Sequence, residues 1–352
     1  MSDSRVTIVA VPRERFSLTK PCLERLYAVT PSPFGLVYVD GGSPARIQRY
    51  LEAQAEQKGF LLVRTDRHLW PNQARNLGLR YAEGDYVVFI DNDILVTPGW
   101  LAALVRCADE TGAWVVGPIV CYGQTELETV HVADGHAHFL DDHGTRLLHE
   151  EHRLAGKRLR DVLPHLRRTP CGFVEFHCVL IRTSVFKRLG PLDEALLSTR
   201  EYLDFCLSVQ NAGGTIVFEP ESIVTHILPR SVKGSDLRFF LSRWSEAANQ
   251  ATLDYFQQKW QLKKDDPHIT RQQQWLRGHR QLALAPIRSL TRKVLGWRLG
   301  SWLNRRVLCP MEQKLNRFLS KGLVDGRGLA RVTLHASPVN RNDQAPRSET
   351  LP

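Results

Sequence analysis

The chain lacks the cysteine spacings that would tie it together covalently. Its seven cysteines, Cys22, Cys107, Cys121, Cys171, Cys178, Cys206 and Cys309, form no CxxC pair and match no zinc-ligand spacing. A disulfide framework and a cysteine-rich zinc centre are therefore excluded, and the thiols read as reduced core residues in a reducing compartment. Also missing is any apolar run approaching the roughly 18 residues of a membrane span. The N-terminal Met-Ser-Asp-Ser-Arg has no leader-like character and runs straight into a strand, so the expected location is cytoplasmic. Acids are scarce in one region only: between Arg271 and Arg331 there are 14 Lys/Arg against Glu312 and Asp325.

What remains is ordinary for a globular chain. With 352 residues, 43% of them apolar and 24% charged, it is long enough for one large α/β domain and an appendage. The net charge of +10 belongs to the appendage, because residues 1–270 hold 31 of the 47 Lys/Arg and 33 of the 37 Asp/Glu.

Val6–Val11 predicts a buried strand ending at Pro12. A helix from Ser17 to about Val29 follows, then a strand Leu36–Asp40 that ends in a carboxylate before Gly41-Gly42-Ser43. A helix over 44–58, a strand over 60–65 and a helix over 72–83, closed by Gly84, lead to the run Tyr86-Val-Val-Phe-Ile90. Strands alternating with helices in this way predict a parallel sheet. The run stops at Asp91-Asn92-Asp93, and a helix is expected to start with Thr97 as N-cap and Pro98 in its first turn.

Asp-Asn-Asp on its own is as consistent with a polar turn as with a site. Its context points further. Asp40 and Asp91/Asp93 end two strands at one edge of the sheet, which is where open α/β sheets bind ligands. Two hard oxygen ligands one residue apart suit Mg²⁺ or Mn²⁺, which would neutralise a diphosphate.

In order, Val6–Val11, Val39-Asp-Gly-Gly-Ser43, Asn72-Gln-Ala-Arg-Asn-Leu-Gly78, Gly84–Asp93, Thr97–Leu101, Glu201-Tyr-Leu-Asp-Phe-Cys206 and Val224-Thr-His226 resemble the family 2 glycosyltransferases of the GT-A fold, over roughly residues 5–230. The resemblance implies a Rossmann-like, mostly parallel central sheet and inverting transfer from a nucleoside-diphosphate sugar, UDP-sugars foremost, to a glycan or lipid-linked acceptor. It implies that Pro12, Asp40, Arg75, Asp91 and Asn92 bind the nucleotide sugar, that Asp93 and His226 hold Mn²⁺ or Mg²⁺, and that Glu201 or Asp204 is the base. The chain departs from the family where Gly41 replaces a second acid, where Arg-Glu-Arg follows Pro12, and where Tyr202 replaces the middle acid of the Glu-Asp motif.

Glu201 and Asp204 are three apart at a helix start, so they share a face, and the helix N-terminus favours their ionised forms. Two N-terminal acids that merely complement the dipole are the bland alternative, and for His226 it is a core histidine. His131, His136, His138, His143, His149 and His152 crowd a turn-rich segment read as a polar loop flanking the acceptor pocket, without zinc spacing. Cys171–Cys178 reads as a strand with Glu175 and His177 on one face. From Asp236 the pattern is helical and packs back on the catalytic part. Residues 275–321 mix tryptophans, leucines and arginines as anionic-membrane-surface helices do, with a solvated helical hairpin as the alternative and no nucleic-acid signature.

The expected organisation is a catalytic domain over 1–235, a basic helical extension over 236–331 and a disordered tail over 332–352, the protein being peripheral at the inner membrane face. A haloacid-dehalogenase-type phosphatase would place its acids on the first strand, with Thr or Val where Leu95 stands. A degenerate, non-catalytic nucleotide-sugar-binding scaffold is the remaining alternative.

Overall fold

A computed structural model describes residues 4–123, 128–142, 144–228, 231–232, 234–325, 330–335 and 349–350. The first half alternates as the periodicity predicts: β1 (Val6–Val11), α1 (Thr19–Val29), β2 (Gly35–Gly41), α2 (Ala45–Lys58), β3 (Leu61–Thr65), α3 (Pro71–Leu79), β4 (Tyr86–Asp91), β5 (Ile94–Val96), α4 (Trp100–Thr111) and β6 (Val115–Gly123). β1 pairs in parallel with β2 on one side and β4 on the other, and β2 with β3. Every residue of β1 and β4 is buried, which is why both read as unbroken apolar runs. α3 lies directly on this sheet: a Cβ on Gly78 would come within 2.3 Å of Val9 Cγ1.

Next come β7 (Thr129–Val132), β8 (Gly135–Asp142), β9 (Thr145–His152), α5 (Leu159–Val162), β10 (Thr169–Pro170), β11 (Cys178–Arg182), α6 (Thr183–Leu189), α7 (Glu201–Asn211) and β12 (Ile216–Ile227). β11 enters antiparallel between β4 and β6, and β12 runs parallel to β6 beyond them. The sheet order is β10-β12-β6-β11-β4-β1-β2-β3-β13-β14, so the centre is mostly parallel, as expected. The helices α8 (Gly234–Arg243), α9 (Glu246–Trp260), α10 (Pro267–Arg280), α11 (Ala285–Leu303) and α12 (Cys309–Asp325) complete the chain with β13 (Arg331–His335) and β14 (Glu349–Thr350).

Several local expectations are corrected. α4 starts at Trp100 after Gly99 in the left-handed region, leaving Thr97 and Pro98 in the preceding turn. α3 ends at Leu79, four residues short of the expected end at Glu83. The histidine-rich stretch is a hairpin of β8 and β9 rather than a loop, because its alternating residues pair across strands; His143 lies outside the described residues. Residues 171–177 are irregular, and strand structure begins only at Cys178. The tail is not structureless throughout: β13 pairs antiparallel with β3 from Val332 to His335, satisfying an otherwise open sheet edge.

The core does not break at residue 235. Phe240, Trp244, Leu253, Phe256, Trp260 and Leu276 belong to the same buried cluster as β1 and β4. Among the described residues no helix is long and apolar enough to cross a membrane.

Candidate active site

The carboxyl ends of β1 and β4 bring the predicted acids together with cations that the sequence reading had not placed. Asp91, at the end of β4, accepts hydrogen bonds from Arg75 Nη2 and Arg13 Nη1, both at 3.1 Å, and lies 3.2 Å from His177 Nδ1. Burial opposes its ionisation, but His177, Arg75 and Arg13 outweigh that and hold its carboxyl below the usual range. Arg75 is itself buried on α3, and its Nη1 lies 3.5 Å from Glu201 Oε1 at the start of α7. A single guanidinium therefore joins the end of β4 to the N-terminus of α7. Arg243, from α8, reaches the same Glu201 oxygen at 3.5 Å. Burial draws the Arg243 guanidinium down to about 10 against the pull of Glu201.

Asp93 sits two residues on, where β5 begins. β5 pairs antiparallel with β12 and sets His226 opposite Ile94, so His226 Nε2 comes to 3.3 Å from Asp93 Oδ2. Burial pushes His226 down to about 4, leaving its imidazole neutral at physiological pH. For Asp93 burial works the other way, but His226 and Arg15 outweigh it and the carboxyl titrates at about 2. Glu14, fully buried just after β1, completes the group. One oxygen of each of Glu14 and Asp93 and a nitrogen of His226 lie within 4.8 Å of one another. Glu14 Oε1, Asp93 Oδ1 and His226 Nε2 have no hydrogen-bond partner although all three are buried. Arg15 Nε stands 3.6 Å from Glu14 Oε1, and a hard O,O,N set of atoms that make no hydrogen bond fits a divalent cation.

Glu14 also fixes the C-terminal helices to the site: Trp244 Nε1 donates to its Oε2 at 2.8 Å, and His279 Nε2 lies 2.8 Å from the same oxygen. The sequence signalled Glu14 only as part of the odd Arg-Glu-Arg after Pro12. Arg243 left no signal at all, since its role depends on how α8 docks.

The other predicted residues divide. Asn92 is engaged within the chain: its Oδ1 accepts from the Arg13 N–H at 3.1 Å and its Nδ2 donates to the Arg15 carbonyl at 2.8 Å, so it pins the turn that carries Arg13–Arg15. Asp40 is engaged by Arg64, by the Ser43 N–H at 3.0 Å and by Ser43 Oγ at 2.9 Å. Pro12 borders Gly41, whose Cβ would lie 3.5 Å from the proline ring. Asp204 is outside the site, a correction to its pairing with Glu201: its carboxylate takes Lys259 Nζ and Trp260 Nε1, each at 2.8 Å, on α9. Three residues of helix turn the two acids towards different neighbours once α8 and α9 dock on either side.

His177 and Glu175 do line the site, in the irregular segment ahead of β11, with Nε2 of His177 3.0 Å from Glu175 Oε2. From β7, His131 comes to 3.3 Å from Glu175, a grouping that the spacing of the histidines did not reveal. Tyr202, which replaces the middle acid of the motif, donates to Glu150 Oε1 at 2.8 Å.

The model of glycosyl transferase family 2 matches residues 7–190, more than half of the 352-residue chain. The chain belongs to that family. Among curated relatives, this family 2 chain is 29% identical over 157 residues to a pre-mycofactocin glycosyltransferase of Mycobacterium tuberculosis, a match covering 44% of the chain and 30% of the relative. It is 24% identical over 260 residues to the uncharacterized protein y4gI of Sinorhizobium fredii, covering 72% of the chain and 27% of that protein. The matches thus span about a third or less of these relatives' own lengths. Among solved structures, GalNAc-T7 with UDP, GalNAc and Mn²⁺ superposes with a TM-score of 0.49 at 18% identity, over 78% of this chain and 54% of that one. S. aureus TarS 1-349 does so with a TM-score of 0.45 at 13% identity, over 97% and 98%. Membership of the family removes the phosphatase alternative. The topology agrees, because the acidic motif ends the fourth strand and not the first.

Proposed function

We propose that this family 2 chain transfers a hexosyl group from a nucleoside-diphosphate sugar, a UDP-sugar foremost, to a hydroxyl of a glycan or lipid-linked acceptor, with inversion. The observation that carries this is the Asp91–Arg75–Glu201 bridge next to the three atoms of Glu14, Asp93 and His226 that make no hydrogen bond. That arrangement sets a cation site against a carboxylate, as displacement of a diphosphate by an alcohol requires.

Pro12, Asp40 and Gly41 form the lobe for the nucleobase, and Arg75 and Asp91 lie where ribose and diphosphate would come. Glu14, Asp93 and His226 would hold Mn²⁺ or Mg²⁺, which when bound would supply positive charge to offset the negative charge developing on the leaving diphosphate. As the acceptor oxygen bonds to the anomeric carbon and the bond to the diphosphate oxygen breaks, the hydroxyl proton passes to Glu201, whose Oε2 has no hydrogen-bond partner. Residues 1–235, completed by Arg243, Trp244 and His279 of the helical part that follows, are the catalytic part, and residues 275–321 of the extension face an anionic membrane surface that presents the acceptor.

Calorimetric titration of the full chain with UDP, GDP, dTDP and CDP, with and without Mn²⁺, tests the reading. One nucleotide should bind in a metal-dependent manner, and Asp93→Ala should abolish that dependence. Absence of binding by all four would overturn it and favour a non-catalytic scaffold.

A further inference from the structure

The exposed apolar surface is concentrated in one region. Among the described residues, 11 of the 13 large hydrophobic side chains that stand exposed fall between Trp275 and Phe318, with Val294 at 72%, Trp297 at 67% and Phe318 at 75%. Cations are interleaved with them. Among the described residues Arg288, Arg292, Lys293, Arg298, Arg305 and Arg306 form no ion pair, and Glu312, one of only two acids between 271 and 331, is taken by Arg280 at 2.6 Å.

α11 is folded on itself here. Gly296, at φ 72° and ψ 171°, breaks the helix in a conformation that only glycine adopts readily. Beyond the break the chain returns so closely that a Cβ on Gly300 would lie 3.0 Å from the Arg292 backbone. The fold leaves a groove of about 560 Å³ lined by Arg288, Ser289, Arg292, Lys293 and Trp297. Across it the Arg292 guanidinium lies 4.2 Å from the Trp297 ring centroid, and Arg292 Nε has no hydrogen-bond partner.

We infer that this groove is a headgroup site for an anionic phospholipid, occupied when the exposed apolar side chains around it enter a bilayer surface. It rests on the membrane-facing reading of the extension and names the place and the ligand. Guanidinium groups suit phosphate oxygens, a hydroxyl completes the set, and tryptophan favours the headgroup level of a bilayer. The exposed Leu290, Val294 and Leu299 of the same helix suit hydrocarbon, which a nucleic acid does not offer. A second copy of the chain would bring the same uncompensated positive charge.

The test is flotation of the full chain with phosphatidylcholine vesicles, with and without phosphatidylglycerol, comparing wild type with Arg292→Glu/Lys293→Glu and Trp297→Ala. The wild type should bind only the anionic vesicles, less so at high salt. The double variant should bind them at least about tenfold more weakly, and Trp297→Ala should bind more weakly as well. Inorganic phosphate should not displace the wild type. Circular dichroism and the nucleotide titration report whether the variants are folded. Wild-type binding left unchanged in the double variant would overturn the groove while sparing the membrane surface. No vesicle binding by the wild type, equal binding to neutral vesicles, or tighter binding to RNA would overturn both. Loss of nucleotide binding by the wild type would count only against the transferase reading.

Discussion

Glu201 and Asp204 sit one turn apart on α7, yet their surroundings differ in kind. Glu201 faces two guanidiniums and keeps one oxygen without a hydrogen-bond partner, while Asp204 is closed in by Lys259 and Trp260. Glu201→Gln should therefore lower turnover by about 10²–10⁴-fold with nucleotide affinity retained. Asp204→Asn should cost about 1–3 kcal/mol of stability with turnover close to wild type, as steady-state kinetics and thermal unfolding would show. The reverse pattern would transfer the base to Asp204. His226 carries a second residue-scale prediction. Unfolded, it takes up a proton near 6.5, but folded only near 4, so between those values the unfolded chain binds more protons. Its contribution to stability is full above that window and falls as the pH drops through it. In chelator-treated protein, the stability gap between wild type and His226→Asn should narrow on acidification across this window; a gap that stays constant or widens would refute it. Asp93 and His226 could be picked out from the sequence because each lies beside a recognisable apolar run, Asp93 just beyond β4 and His226 near the end of β12. Glu14 could not, since its partners Trp244 and His279 lie 230 and 265 residues away.

Elements whose patterns are complete in themselves were the legible ones. β1, β2, β4 and α3 announce their burial by period, and they deliver Asp40, Arg75 and Asp91 where the pattern expects them. β11 was harder: only Cys178–Arg182 is strand, and its insertion between β4 and β6 follows from pairing partners that no local period encodes. The hairpin of β8 and β9 was obscured by its histidines, whose polarity resembles that of a loop. α3 matters most for function, because it holds Arg75 and meets the sheet at Gly78. Adding a methyl group there forces Val9 or the helix to move, so Gly78→Ala should destabilise the protein by about 1–3 kcal/mol and weaken nucleotide binding through Arg75. Differential scanning calorimetry and the nucleotide titration would measure the two effects, and an unchanged melting temperature would show that the helix can shift without cost.

At the scale of the whole molecule, the charge asymmetry read from composition coincides with a difference in how the C-terminal helices pack. The positive charge without neighbouring acids gathers on α11 and on residues 304–308 that follow it, whereas α8, α9 and α10 share the core of the catalytic sheet, and Arg243, Trp244 and His279 from this part reach the site. Composition could not separate these two groups of helices, because both read as helical beyond Asp236. Nor could it foresee that the chain returns after α12 to add β13 to the edge of β3. That return gives the extension a mounting at each end: α10 holds it at Glu14 on the active-site side, and β13 holds it at the far edge of the sheet. A part fixed at two points cannot pivot as an arm on a hinge would. On the membrane surface proposed for it, such a part would set the tilt of the catalytic sheet, and with it the direction in which the carboxyl edge of β4 looks.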